Sequence, residues 1–247
     1  MAIAQTKDAE GRKQGYWKKK DERTNKLIYE GEFKDDKPVG RFKYYYPNDT
    51  AVRAVMHFKN GGESAYVKLF HQNGKRMAEG KYVGKETKDS VWVYYDEAGG
   101  LLSRERYSLG KKNGLSTVYY RDGNVSEERN YKMDVQDGPF KQYFDENKAI
   151  KGQGLYVNGD LEGRTAYYYP NGVEVAAGYY KKGRKDGVWI YREENGKVKE
   201  KELFRNGKQA SEKEAEAYFA KHKTPAEATK TEAPKENKKT EPKQRTK

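Results

Sequence analysis

Gly183-Arg184-Lys185-Asp186-Gly187-Val188-Trp189-Ile190-Tyr191 runs on through Asn195-Gly196 to Phe204-Arg205-Asn206-Gly207, and this stretch contains every element of the unit that the chain repeats. Val188–Tyr191 alternates in the manner of a half-buried strand. Asn195-Gly196 is a turn dipeptide, because both residues tolerate positive φ. A second strand closes on Phe204, and Asn206-Gly207 turns the chain again. One such unit is a β-hairpin.

The unit recurs eight times at intervals of 24 to 26 residues, phased on Gly15, Gly40, Ser64, Ser90, Gly114, Gly138, Gly163 and Gly187. Two residues after this leading position stands an aromatic in six units: Trp17, Phe42, Tyr66, Trp92, Phe140 and Trp189. Ser116 and Thr165 replace it in the other two. At offset 17 or 18 a second aromatic is present throughout: Phe33, Phe58, Tyr82, Tyr107, Tyr131, Tyr156, Tyr180 and Phe204. Self-similarity at this period signals units that pack only on their neighbours. A tight turn between offsets 9 and 10 sets offset 2 directly across from offset 17, and a second, looser turn falls near offset 20. The expectation is a continuous cross-strand aromatic ladder on one face, each pair contributing roughly 0.2–1 kcal/mol. The predicted fold is all-β: an elongated single-layer antiparallel sheet of about eight stacked hairpins. Its sixteen strands would extend about 75 Å at the usual strand spacing.

Boundaries follow from composition shifts. Residues 1–14 form an N-terminal extension and 15–210 the repeat domain. Ser211-Glu212-Lys213-Glu214 reads as a capping box, and Ala215, Tyr218 and Phe219 supply an apolar stripe. A short capping helix is therefore expected over 211–223. Residues 224–247, rich in Lys, Glu and Pro without an apolar period, read as a disordered tail.

Composition limits the function. Of 247 residues, 34% are hydrophobic and 36% charged, which argues against a thick core. The 22 tyrosines offset this, since each covers apolar area while keeping a wet hydroxyl. No cysteine is present, which excludes disulfides and thiolate chemistry. Ala2-Ile3-Ala4 resembles the end of a cleaved signal peptide, so export to the periplasm, outer membrane or exterior is expected, with a cytoplasmic location as the alternative. The net charge of +13 implies attraction to acidic partners, although the charges are interspersed.

The stretch Tyr29-Glu30-Gly31-Glu32-Phe33, followed by Lys37 and Gly40-Arg41-Phe42, resembles the MORN repeat family. The segment from Gly183 to Gly207 is similar to its bacterial, YwqK-like variant. The resemblance spans about residues 15–210. It implies a non-enzymatic scaffold for protein–protein interaction or self-association through a sheet face or edge. Contact with anionic lipid or an acidic polymer is an alternative, and an antitoxin-like role toward a toxin partner is another.

Little chemistry competes with this reading. His57, His71 and His222 share no metal-ligand spacing. Glu30, Glu79, Glu105 and Glu128 could do acid–base work only across a cleft, and pairing with lysines explains them more simply. Arg41-Phe42-Lys43-Tyr44-Tyr45-Tyr46 could stack bases, but alternation to opposite faces accounts for it, so nucleic acid is a poor candidate. No catalytic residue, metal or cofactor is expected. Tyr45, Tyr95, Tyr119, Tyr143 and Tyr168, at odd offsets, form a second aromatic row on the reverse face and are the candidate partner-binding residues.

Overall fold

The computed structural model describes residues 5–84 and 86–222. The Ala2-Ile3-Ala4 motif and the Lys/Glu/Pro-rich tail lie outside the described residues. The sheet begins with β1 (Thr6–Lys7), β2 (Lys13–Lys20), β3 (Leu27–Lys34), β4 (Lys37–Tyr45), β5 (Val52–Lys59) and β6 (Ser64–Phe70). It continues with β7 (Arg76–Val83), β8 (Thr87–Tyr95), β9 (Leu101–Ser108), β10 (Lys111–Tyr119), β11 (Val125–Lys132) and β12 (Val135–Tyr143). It ends with β13 (Ile150–Val157), β14 (Asp160–Tyr168), β15 (Glu174–Lys181), β16 (Arg184–Arg192), β17 (Val198–Arg205) and β18 (Lys208–Gln209), followed by the helix α1 (Glu212–Lys221). Every strand pairs antiparallel with the next in the chain, and the sheet is one open layer. The sixteen long strands are β2–β17. The two-residue strands β1 and β18 lie along the outer edges, where they shorten the exposed ladders.

Two turns alternate, and their characters are the reverse of the expected ones. Near offset 20 six of the connections are two-residue turns with positive φ at both positions, as in Asn158-Gly159, Lys182-Gly183 and Asn206-Gly207. Near offset 9 the loops are longer. Asp96 N–H donates to the Gly100 carbonyl and Gly99 N–H to the Asp96 carbonyl, with Gly99 at φ 91°. The glycine closes this loop and does not sit at its centre.

That placement moves the strand register by two residues. Trp92 faces Glu105 and Trp189 faces Glu202, while the second aromatics face the leading residues: Tyr107 opposite Ser90, Phe204 opposite Gly187. The direct aromatic pairing expected from the spacing is thus replaced by a diagonal one. Rings still meet, with Phe42–Phe58 at 5.2 Å and Phe140–Tyr156 at 5.3 Å between centroids. They meet equally across unit boundaries, as in Phe33–Phe42 at 5.1 Å, Tyr82–Trp92 at 4.7 Å and Tyr180–Trp189 at 5.2 Å.

Tyr66 leaves the ladder altogether. The 3-10 turn Asn60–Gly62 joins β5 to β6, and the two strands pair without a bulge. One residue of phase is thereby lost, so Ala65 and Val67 turn inward and Tyr66 is 59% exposed on the opposite face. The ring contacts therefore break at Ala65/Val67 in the third unit, and again at Ser116 and Thr165 in the fifth and seventh, where the sequence itself lacks the first aromatic. The expected continuous ladder is a series of separate ring clusters.

Trp92, Trp189 and Phe42 are each at most 1% exposed, although only one layer of sheet is present. Glycines explain how. A Cβ built at Gly31 would lie 2.4 Å from the Phe42 ring, and at Gly80 and Gly178 the same distance from Trp92 and Trp189. Each large ring lies flat over a glycine of the preceding strand and is flanked by neighbouring tyrosines. α1 carries the expected capping box, Ser211 with Glu214, and its half-buried residues are Ala215, Tyr218 and Phe219.

Candidate functional site

Strand alternation gives the sheet two chemically distinct faces. On the aromatic face, lysines two residues before the leading position reach back over the rings. Lys88 Nζ lies 5.0–5.1 Å from the centroids of Trp92, Tyr94 and Tyr107, and donates to Tyr94 Oη at 2.7 Å. Lys185 repeats this over Trp189 (4.4 Å), Tyr191 (5.5 Å) and Phe204 (4.8 Å), donating to Tyr191 Oη at 2.8 Å. Lys13 covers Trp17 and Phe33. These aliphatic stems complete the burial of the rings, and the ammonium groups are held by cation–π attraction. The signal was present in the sequence as a lysine at a fixed offset, but the sequence reading did not use it.

The fifth unit fills its missing ring with charge. Lys112 donates to Glu105 at 2.9 Å, Tyr107 donates to the same carboxylate at 2.5 Å, and Arg129 pairs with Glu127, which also accepts from Gln142 at 3.0 Å. Glu105 therefore belongs to the aromatic face. Glu30, Glu79 and Glu128 lie on the other.

The five tyrosines proposed as partner contacts are half-buried on that opposite face. Four of them bind a side chain some 15 residues upstream. Tyr45 donates to Glu30 at 2.7 Å, Tyr95 to Glu79 at 3.1 Å and Tyr143 to Glu128 at 2.7 Å, and Gln153 donates to Tyr168 at 2.7 Å. Tyr119 has no hydrogen bond among the described residues. Burial and then the neighbouring Glu128 carboxylate push the Tyr143 hydroxyl up to about 12. Burial alone would raise Glu30, but hydrogen bonds from Tyr45, Tyr16 and Lys43 outweigh it and hold the carboxyl below its ordinary range. Lys18 and Lys43 flank Glu30 at 3.6 and 3.4 Å, the lysine pairing expected for these glutamates.

A further tyrosine row went unread. Tyr46, Tyr120 and Tyr169 donate to the carbonyls of Phe70, Tyr143 and Arg192 in the next unit, and His71 Nε2 does the same to Tyr95 at 3.1 Å. These are inter-unit ties. His222 Nδ1 donates to the Tyr218 carbonyl at 2.8 Å at the end of α1.

The opposite face also carries a groove of about 460 Å³ across β5–β9, continuing over β10. Tyr66, Val91 and Leu115 are its exposed apolar surface. Lys68, Arg104 and Arg106 stand exposed along it with no ion-pair partner among the described residues. On the aromatic face, by contrast, Lys13, Lys88, Lys112 and Lys185 are all engaged with rings. Among the described residues there is no group of three or more side chains able to hold a metal, and no helix is long and apolar enough to cross a membrane.

An open sheet of antiparallel hairpins stacked at a 24- to 26-residue period is a β-hairpin repeat architecture. Two stretches of the chain, residues 112–133 and 185–206, match the MORN repeat variant. Both begin on a lysine two residues before the leading glycine, Lys112 and Lys185, and both end in the two-residue turn. No curated protein matches the chain.

Proposed function

We propose that the chain is a non-enzymatic repeat scaffold that binds another protein across its sheet. The groove on the opposite face carries this reading. Three cations with no ion-pair partner among the described residues border exposed Tyr66, Val91 and Leu115, an arrangement suited to an acidic partner with apolar contacts. Lys68 on β6 and Arg104 on β9 are three strand steps apart, about 14 Å, which an extended segment covers in roughly four residues. The half-buried tyrosines at 45, 95, 119, 143 and 168 border the same face. Export, and a location in the periplasm or at the outer membrane, belongs to the same proposal. An anionic polymer or membrane is the second reading, favoured by the same cations.

The test is crosslinking of the full chain in its native cells, with photoreactive groups in place of Tyr66 and Tyr179 on this face, followed by fractionation. A discrete crosslinked protein partner is expected, lost in the Lys68→Glu/Arg104→Glu/Arg106→Glu variant. Recovery solely as a free cytoplasmic monomer would overturn the proposal. Binding to heparin or to vesicles of anionic lipid, without any protein partner, would favour the second reading.

A further inference from the structure

The third unit lacks an inward ring, and it also lacks a covering lysine. The residue two before its leading position is Gly62, and in the second unit that place is taken by Pro38. What remains is an open cavity of about 290 Å³ on the aromatic face, walled by Tyr44, Met56, Phe58 and Tyr82 with Glu86 at one side. The fifth unit answers the same loss with the Lys112–Glu105 and Arg129–Glu127 pairs. The cavity in the third has no such filling.

Repeat equivalence tells what it is shaped to hold. Tyr44 stands four residues after its leading glycine, the place taken by Tyr94 and Tyr191 in the fourth and eighth units. Those two hydroxyls each accept from a lysine ammonium, Lys88 or Lys185, that also faces two further rings. Neither the Tyr44 nor the Tyr82 hydroxyl has a hydrogen-bond partner among the described residues, and no lysine or arginine there lies over Tyr44, Phe58 or Tyr82. Burial first, and then proximity to Tyr29 and Glu86, raises the Tyr44 hydroxyl against the smaller opposing charge of Arg53; Glu86 likewise adds to the rise at Tyr82 after burial. A carboxylate beside an aromatic cage suits a cation.

We propose that this cavity is a binding site for the side chain of a lysine carried by a protein partner. Its ammonium donates to Tyr44 Oη, faces the Phe58 and Tyr82 rings, and is balanced by the Glu86 carboxylate. The inference rests on the protein-binding reading above and adds a second contact, on the face opposite the groove.

The full chain, labelled with ¹³C at its methionine methyls, reports occupancy through Met56, whose resonance is assigned with Met56→Leu. The probes are N-acetyl-lysine methylamide, its norleucine counterpart and choline. The lysine probe should shift the Met56 methyl saturably, and the norleucine probe should bind at least about fivefold more weakly. Glu86→Gln should weaken the lysine probe severalfold. Pro38→Lys, which restores the arrangement of the fourth and eighth units, should abolish the shift while leaving the circular dichroism unchanged. An unmoved Met56 methyl, equal binding of norleucine, or choline binding more tightly than lysine would overturn the assignment. A crosslinked partner held as well by Pro38→Lys as by the parent chain would sink the cage and leave the scaffold reading standing.

Discussion

Gly80→Ala should destabilise the protein far more than one methyl group ordinarily does. Gly80 has no unusual backbone angle, so alanine meets no conformational objection there. Its Cβ, however, would stand 2.4 Å from Cδ2, 2.5 Å from Cε2 and 2.6 Å from Cγ of Trp92. Carbon atoms rest at about 3.5–4.0 Å, so ring and strand must part by about 1 Å or more. Trp92 is fully buried and donates its indole N–H to the Lys81 carbonyl at 3.1 Å, which leaves it little freedom to tilt. Overpacking of this kind costs about 1–3 kcal/mol, and the directness of the clash places Gly80 at the upper end. At about 2–4 °C per kcal/mol for a chain of this size, the melting temperature should fall by about 5–10 °C. Gly40→Ala is the control. Its φ is 66° with nothing within 4 Å of the added carbon, so only the left-handed backbone cost of about 1 kcal/mol applies. Thermal unfolding by circular dichroism, with a double-mutant cycle against Trp92→Leu, separates the two mechanisms. The Gly80→Ala penalty should largely vanish when Trp92 is leucine. A penalty below about 0.5 kcal/mol, or one indifferent to the size of residue 92, would refute the account of rings lying on glycines.

Thr165 is fully buried and its hydroxyl has no hydrogen-bond partner among the described residues, so Thr165→Val should stabilise by about 1 kcal/mol in chemical denaturation; a loss would mean that the hydroxyl is satisfied. Lys185→Met keeps the aliphatic cover over Trp189 but removes the ammonium, and should cost about 1 kcal/mol, whereas an unchanged denaturation midpoint would assign the stabilisation to the stem alone. The Tyr143 hydroxyl, raised to about 12, stays neutral in the folded chain after the unfolded tyrosine has ionised near pH 10. Its contribution is present below about pH 10 and is lost as pH rises toward about 12, so Tyr143→Phe should lessen alkaline destabilisation in that window, read by unfolding midpoints at a series of pH values.

Much of the architecture was legible because it is written in side chains. The 24- to 26-residue period, the turn glycines and the alternating strands required no tertiary information, and the capping box at Ser211 and Glu214 is purely local. The register was not legible, for the opposite reason. The partner of each large ring is a glycine, and Gly31, Gly80 and Gly178 look in sequence like further turn or spacing residues. The direction of Tyr66 depends on the absence of a bulge between β5 and β6, which a single strand's composition does not reveal. Glu105 was grouped with Glu30, Glu79 and Glu128, although it sits two residues before its aromatic where they sit three, and one residue of phase exchanges the faces. The candidate tyrosines were placed on the correct side by their odd offsets, but their glutamate partners and the lysine cages required coordinates.

Loss of the inward ring in the third, fifth and seventh units has a consequence for how the chain can change length. Phe42, Trp92, Phe140 and Trp189 follow one another at 50, 48 and 49 residues, so from the second unit onward ring-bearing and ringless hairpins alternate. The heritable module is then a pair of hairpins. Excising residues 90–113 would set two ringless units side by side, whereas excising 90–137 would join the third unit to the sixth and keep the alternation intact. Shortened or lengthened descendants of this chain should differ by whole pairs, and a designer who wants a longer sheet should copy about 49 residues at a time.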